Sequence, residues 1–108
     1  MVVSGWSAEH VLRQQQAAVS IFNEVGMGSL VSGVTQHISN GGGAFFISPD
    51  GSKEGWQASD IAAKARDEFI AHLRSQTDHF VEWALILIGG DDGEYHVLQS
   101  PNDQPEAA

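Results

Sequence analysis

The densest chemistry in this 108-residue chain sits in one short stretch, Ser48-Pro49-Asp50-Gly51-Ser52-Lys53-Glu54-Gly55-Trp56. Pro fixes its own φ, Asp bonds back to nearby backbone, and Gly accepts positive φ, so Pro49-Asp50-Gly51 is a turn with a mechanism. Behind it stand a cation, an anion and a large aromatic. An aromatic anchor with a polar rim is the composition of a protein interface. On that reading the Asp50–Trp56 loop forms the contact surface: Trp56 anchors a partner, Lys53 and Glu54 set its orientation, and Asp60 and Arg66 brace the loop. On the competing structural reading Trp56 folds under the loop and plugs the core beside Phe46 and Phe69, with Trp6 and Trp83 completing the cluster.

Other chemistries find less support. His72 and His79, with Asp78 adjacent, form one weak metal candidate; His37 and His96, on different predicted strands and able to meet across the sheet, form another. Neither has the i,i+4 pairing of a helical zinc motif, and ordinary surface histidine accounts for both. Ser48, Ser52 and Ser59 have no G-x-S-x-G elbow around them, so a hydrolase triad is not expected. Gly41-Gly42-Gly43 and Gly89-Gly90 lack the lysine-serine/threonine pattern of a phosphate loop and read as hairpin connections. Asp91-Asp92-Gly93-Glu94 does not match a twelve-residue calcium loop and reads as a solvated turn. Glu82, inside the strongest strand, needs a partner such as Arg66, Lys53 or a histidine if its face is buried; an edge or dimer-rim position that reaches water is the simpler placement. No metal or cofactor is expected.

The elements that hold these residues follow from periodicity. Ser7 is a good N-cap for a helix to about Val25, with Val11, Ala18, Phe22 and Val25 on one stripe and Gln14, Gln15 and Gln16 straddling the polar face. Gly26 and Gly28 stop it. Leu30–Ser39 reads as a strand with Leu30, Val34 and Ile38 on one face, and residues 44–47 as a short apolar strand paired with it as a hairpin. Ser59 is expected to cap a second helix that runs to about Ser75, with a core stripe of Ile61, Ala62, Ala65, Phe69, Ile70 and Leu73. Phe80–Ile88 is the strongest strand, and Glu94–Ser100 returns beside it.

The order αββαββ predicts an α+β fold: a four-stranded, mostly antiparallel sheet with both helices on one face. Ser7 and Ser59, Pro49 and Pro101 align between the two αββ halves, too few matches to make a sequence repeat. Residues 1–100 form one domain and 101–108 a polar, disordered tail. Phe80–Ile88 is apolar on both faces, which demands cover on both. A second copy of the chain supplies it at least cost, and Trp83, Leu85 and Leu87 are the residues expected at that homodimer interface.

Composition narrows the partners. Fourteen acidic against five basic residues leave a net charge of −9. That opposes direct binding to nucleic acid and to anionic membranes, both of which need Lys and Arg. The absence of cysteine excludes disulfides, thiolate metal sites and cysteine nucleophiles. It suits a reducing compartment, and with no visible signal segment or long apolar run the expected location is the cytoplasm.

Residues 46–56, followed by Ser59-Asp60, Ala65-Arg66 and Phe69-Ile70, resemble a pattern in small accessory proteins of bacterial mobile DNA, found among phage genes and integron gene cassettes. The resemblance spans roughly residues 45–74 and implies a small accessory protein of the kind that forms oligomers, without implying an activity. The reading of the residues themselves is a non-enzymatic acidic interaction module, homodimeric, that binds a protein or small ligand through the 50–60 loop or the dimer seam. Two other classes stay open: a small enzyme or ligand-binding protein with a pocket at the seam using Glu82, His37 or His96, and an acidic inhibitor of a nucleic-acid-binding protein.

Overall fold

The structure, a computed structural model, describes residues 1–76, 81–87 and 94–101. It is α+β, with five strands and two long helices: β1 (Val2–Gly5), α1 (Ala8–Glu24), a 3-10 turn (Gly28–Leu30), β2 (Thr35–Gln36), β3 (Gly43–Phe46), α2 (Gln57–Ser75), β4 (Val81–Leu87) and β5 (His96–Gln99). The sheet runs β2-β3-β1-β4-β5 and every pairing is antiparallel. The sequence-based expectation of four strands omits β1, which is the central one.

Register decides the layers. Val3 stands opposite Phe45 on one side and Trp83 on the other. These three are buried together with Val11, Ala18 and Phe22 of α1 and Ala65, Phe69, Ile70 and Leu73 of α2. Both helices therefore cover one face, as expected. The other face carries Val2, Ser4, Thr35, Ala44, Phe46, Glu82 and Ala84 by the same register, continued by Ile86 and its partner Val97 past a register shift at Leu85/Ile86, and neither helix covers it.

α1 begins where its cap chemistry places it: the Ser7 side chain accepts from the His10 N–H. It ends in a Schellman motif. The Met27 N–H donates to the Phe22 carbonyl at 2.8 Å and the Gly26 N–H to the Asn23 carbonyl at 3.0 Å, with Gly26 at φ +74°, which costs glycine little. Val25 becomes the C-cap and is exposed, so it leaves the core stripe. The glutamines divide as well. Gln14 is buried and accepts from His72 Nε2 at 3.0 Å, tying α1 to α2, while Gln15 donates to the Ser32 carbonyl; only Gln16 stays on the polar face.

Three boundaries differ from the sequence reading for identifiable reasons. The long strand expected over Leu30–Ser39 is broken at Ser32. The Phe46 N–H bonds to the Ser32 hydroxyl at 2.8 Å rather than to a backbone carbonyl, so the side chain replaces a ladder bond and only Val31 and Thr35–Gln36 pair. Ile38 is then fully exposed. α2 is capped by Trp56 instead of Ser59, because Gln57 and Ala58 are good helix formers and complete a turn before Ser59 is reached. Trp83, expected at a dimer interface, is 7% exposed in the monomer core, with the Arg74 guanidinium 4.9 Å from its ring centre. Leu85 packs against that same core. The face left uncovered is the opposite one. Phe80, His79 and Asp78, the Gly89–Gly93 turn and the 102–108 tail lie outside the described residues.

Candidate functional site

The 48–56 loop leaves β3 and enters α2, and its local bonds are those its residue types imply. The Ser52 hydroxyl donates to an Asp50 carboxylate oxygen. The Trp56 N–H donates to the Lys53 carbonyl at 3.0 Å, closing a turn that needs Gly55 at φ +88°. This turn sets the Lys53 ammonium 5.9 Å from the centre of the Trp56 ring, at the outer limit of a cation–π contact. Trp56 is 57% exposed. The expectation that it plugs the core is therefore corrected, and Trp6 and Phe46 are exposed too, leaving Trp83 the buried one of the three tryptophans. The chain turns outward at Gly55, and the core volume is already filled by Phe22, Phe45 and Phe69.

The six loop-and-helix candidates split into two groups. Lys53, Glu54, Trp56 and Asp60 are exposed on the outside of the loop and the first turn of α2. Asp50 and Arg66 face inward, into a cleft of about 480 Å³ between the first half of α2 and the β4–β5 ladder. Ser52 and Ser59 add hydroxyls to its lining, and Met1, Ile47, Ala62, Leu85, Leu87 and Leu98 are among its apolar residues, with Ile86 at its edge where the β4–β5 register shifts. Leu85 and Leu87, expected at a dimer seam, thus belong to this cleft.

Arg66 is the notable group there. It is half-buried, and its Nε is buried with no hydrogen-bond partner among the described residues. Its charge is felt across the cleft. The Met1 amine, which donates to the Ile47 carbonyl at 2.9 Å, is held below its ordinary pKa by burial first and by the Arg66 charge second. Nothing in the spacing of the sequence puts Arg66 beside Leu85 and Leu98; that proximity comes from the sheet order.

A second, smaller hollow of about 150 Å³ lies at the other end of the molecule, lined by Ser4, Gly5, Trp6, His37, Asn40 and Glu82. His37 Nδ1 is 3.1 Å from Asn40 Oδ1, and that oxygen also accepts from the Gly42 N–H. Glu82 is exposed on the open face opposite Ser4, so it reaches water. His37 follows β2 and His96 opens β5, the two edges of the sheet, so these histidines do not meet. His72 is engaged by Gln14 and stacks on Phe69, with centroids 6.1 Å apart. Among the described residues no three His, Asp or Glu side chains converge as metal ligands, and no helix is long and apolar enough to cross a membrane. Comparison with family models, curated proteins and solved structures found no match to the chain.

Proposed function

We propose that this chain is a non-enzymatic acidic interaction module that pairs with a second copy through its open sheet face and presents the 50–60 loop to a partner protein, in keeping with the accessory role that the 45–74 resemblance implies. The observation that carries this reading is the outward placement of Trp56, with the Lys53 ammonium 5.9 Å from its ring centre, on a loop whose inner side carries the Ser52–Asp50 hydrogen bond. Tryptophan offers a large contact area on only two side-chain torsions, which suits an anchor. Glu54 and Asp60 flank it and give the contact a charge pattern.

Pairing with a second copy is supported by the charge of the open face. A chain of net charge −9 repels itself almost everywhere. Glu82 is the sole charged residue among the described strand positions of that face, while Phe46 on β3 is 51% exposed there and Val97 is exposed three strands away on β5. Light scattering behind a sizing column checks this directly. Wild-type protein is expected at twice the chain mass across a concentration series, and Phe46→Asp, which adds a charge to an exposed position, at the single-chain mass. A wild-type monomer at all concentrations would remove the pairing.

The loop is tested separately. Replacing Lys53 and Glu54 together with Ala should cut recovery of a bound host protein on immobilised chain several-fold, since each double truncation removes one orienting charge pair worth about 1 kcal/mol or more. Unchanged recovery takes the loop out of the interface.

The hollow that joins His37 and Glu82 favours a seam-pocket enzyme or binding protein as the second reading. At about 150 Å³ it is smaller than the roughly 300–1,000 Å³ of ligand pockets, so a second copy would have to complete it.

A further inference from the structure

The Arg66 cleft has a function of its own to offer, independent of the loop's outer surface. Burying part of a guanidinium strips it of water, and the buried Nε recovers no hydrogen bond from any described residue. The ion pair that the described residues do make, Arg13 with Glu9, is on the exposed side of α1. In a protein with nearly three acids for each base, a half-buried guanidinium that makes no ion pair among the described residues is a costly arrangement that a folded chain has many ways to avoid. A bound anion would satisfy it.

The walls say what kind of anion. Leu85, Leu87 and Leu98 come from the β4–β5 ladder, and Leu87 and Leu98 are about half exposed to the cleft and solvent. Their apolar surface faces Arg66 across a space of about 480 Å³, within the usual range for small-molecule sites, which combine apolar walls with a few placed polar groups. Asp50, at the rim, sets an upper limit on charge: its carboxylate repels a dianion such as phosphate more than a monoanion. The guanidinium fork matches a carboxylate in two parallel hydrogen bonds.

We propose that the cleft between α2 and the β4–β5 ladder binds a small amphipathic monocarboxylate, with its carboxylate on the Arg66 guanidinium and its hydrocarbon end on Leu85, Leu87 and Leu98. The head and tail are recognised by different walls, so neither alone binds well. No bond is made or broken; the site is a receptor for the acid.

Octanoate is the probe, titrated into the isotopically labelled full chain while the Arg66 Nε–H signal and the backbone amides are followed by NMR. Saturable shifts are expected at Arg66 Nε–H, Ser52, Leu85 and Leu98, and not at Phe46 or Val97 on the open face. Acetate (head only), octanol (tail only) and inorganic phosphate should each bind at least about tenfold more weakly, the scale of losing a charge-assisted hydrogen bond or the tail's burial. Arg66→Gln should weaken octanoate by a similar factor, and Asp50→Asn should tighten it, because removing the rim carboxylate removes a repulsion. The Asp50→Asn arm and the wild-type ligand series decide the matter even if Arg66→Gln folds poorly. The Lys53→Ala, Glu54→Ala protein should bind octanoate as the wild type does, so the fate of the loop and of the cleft are read apart. Absence of saturable octanoate shifts overturns the proposal. So do equal affinity for acetate or phosphate, shifts confined to the open face, or Asp50→Asn binding more weakly than wild type.

Discussion

Val3→Asp should abolish the cooperative fold. Val3 has no exposed surface and sits in the central strand, opposite Phe45 and Trp83 at once. A carboxylate there has no partner in reach and must either remain charged in an apolar layer or take up a proton at a raised pKa, and both are expensive. The expected loss exceeds about 4 kcal/mol, the range reserved for unpaired buried charge, against a total stability of roughly 5–15 kcal/mol for a domain of this kind. Far-UV circular dichroism in a urea series reads the outcome as a lost or strongly shifted transition. Val2→Asp is the control: the same strand and the same new charge, but on the open face beside Phe46 and Ala84, where water is near. It should cost no more than about 1–2 kcal/mol. Equal losses from the two variants would mean that β1 does not alternate between a covered and an uncovered face.

This strand is also where sequence reasoning stops. Val2-Val3-Ser4-Gly5 is four residues long and ends in Gly, too brief to show a period of two. Its role comes from two neighbours, β3 and β4, which lie far along the chain. The helices were legible because Val11, Ala18 and Phe22, or Ala65, Phe69 and Leu73, repeat over several turns and leave no other period available. β4 was legible as a strand with two apolar sides, yet the choice of side was not. Trp83 and Leu85 differ from Ala84 and Ile86 only in parity, and parity relative to the helices is fixed by the register with β1. Without β1, the covered side and the open side are interchangeable. Ser32 shows a different limit: a hydroxyl that takes over a ladder bond leaves no mark in an apolar–polar pattern.

The candidate site divides along the same line. Contacts within a few residues, Ser52 to Asp50 and Lys53 to Trp56, follow from turn chemistry and could be read directly. Whether Trp56 pointed in or out could not, because that depends on how much room Phe45 and Phe69 leave beneath the loop. The sequence reading puts Asp50 on the contact surface of one loop and Arg66 among its braces. The fold gives them a different common surface, a cleft completed by Leu85 and Leu98 from strands that the loop's own sequence says nothing about.

Phe69→Ala should be the most damaging truncation in α2, costing about 3–5 kcal/mol. The ring is fully buried, lies 6.2 Å from the Phe45 ring at a tilted angle and stacks on His72. It is thus the contact through which α2 grips the centre of the sheet. Removing it leaves a cavity that neighbours on two rigid elements can only partly fill, so the transfer loss and the cavity cost add. In a urea titration the midpoint should fall while the slope stays constant, the sign of lost stability rather than a changed unfolded state. Trp56→Ala removes a larger aromatic from the same helix's N-cap and should change stability by no more than about 0.5 kcal/mol, because that ring is solvent-facing. The two variants together separate structure from recognition. A Phe69→Ala protein that still folds should lose octanoate affinity as α2 loosens and Arg66 drifts from Leu85, whereas Trp56→Ala should keep octanoate and lose the protein partner. A Trp56→Ala protein as unstable as Phe69→Ala would place the tryptophan in the core after all and withdraw the anchor from the loop.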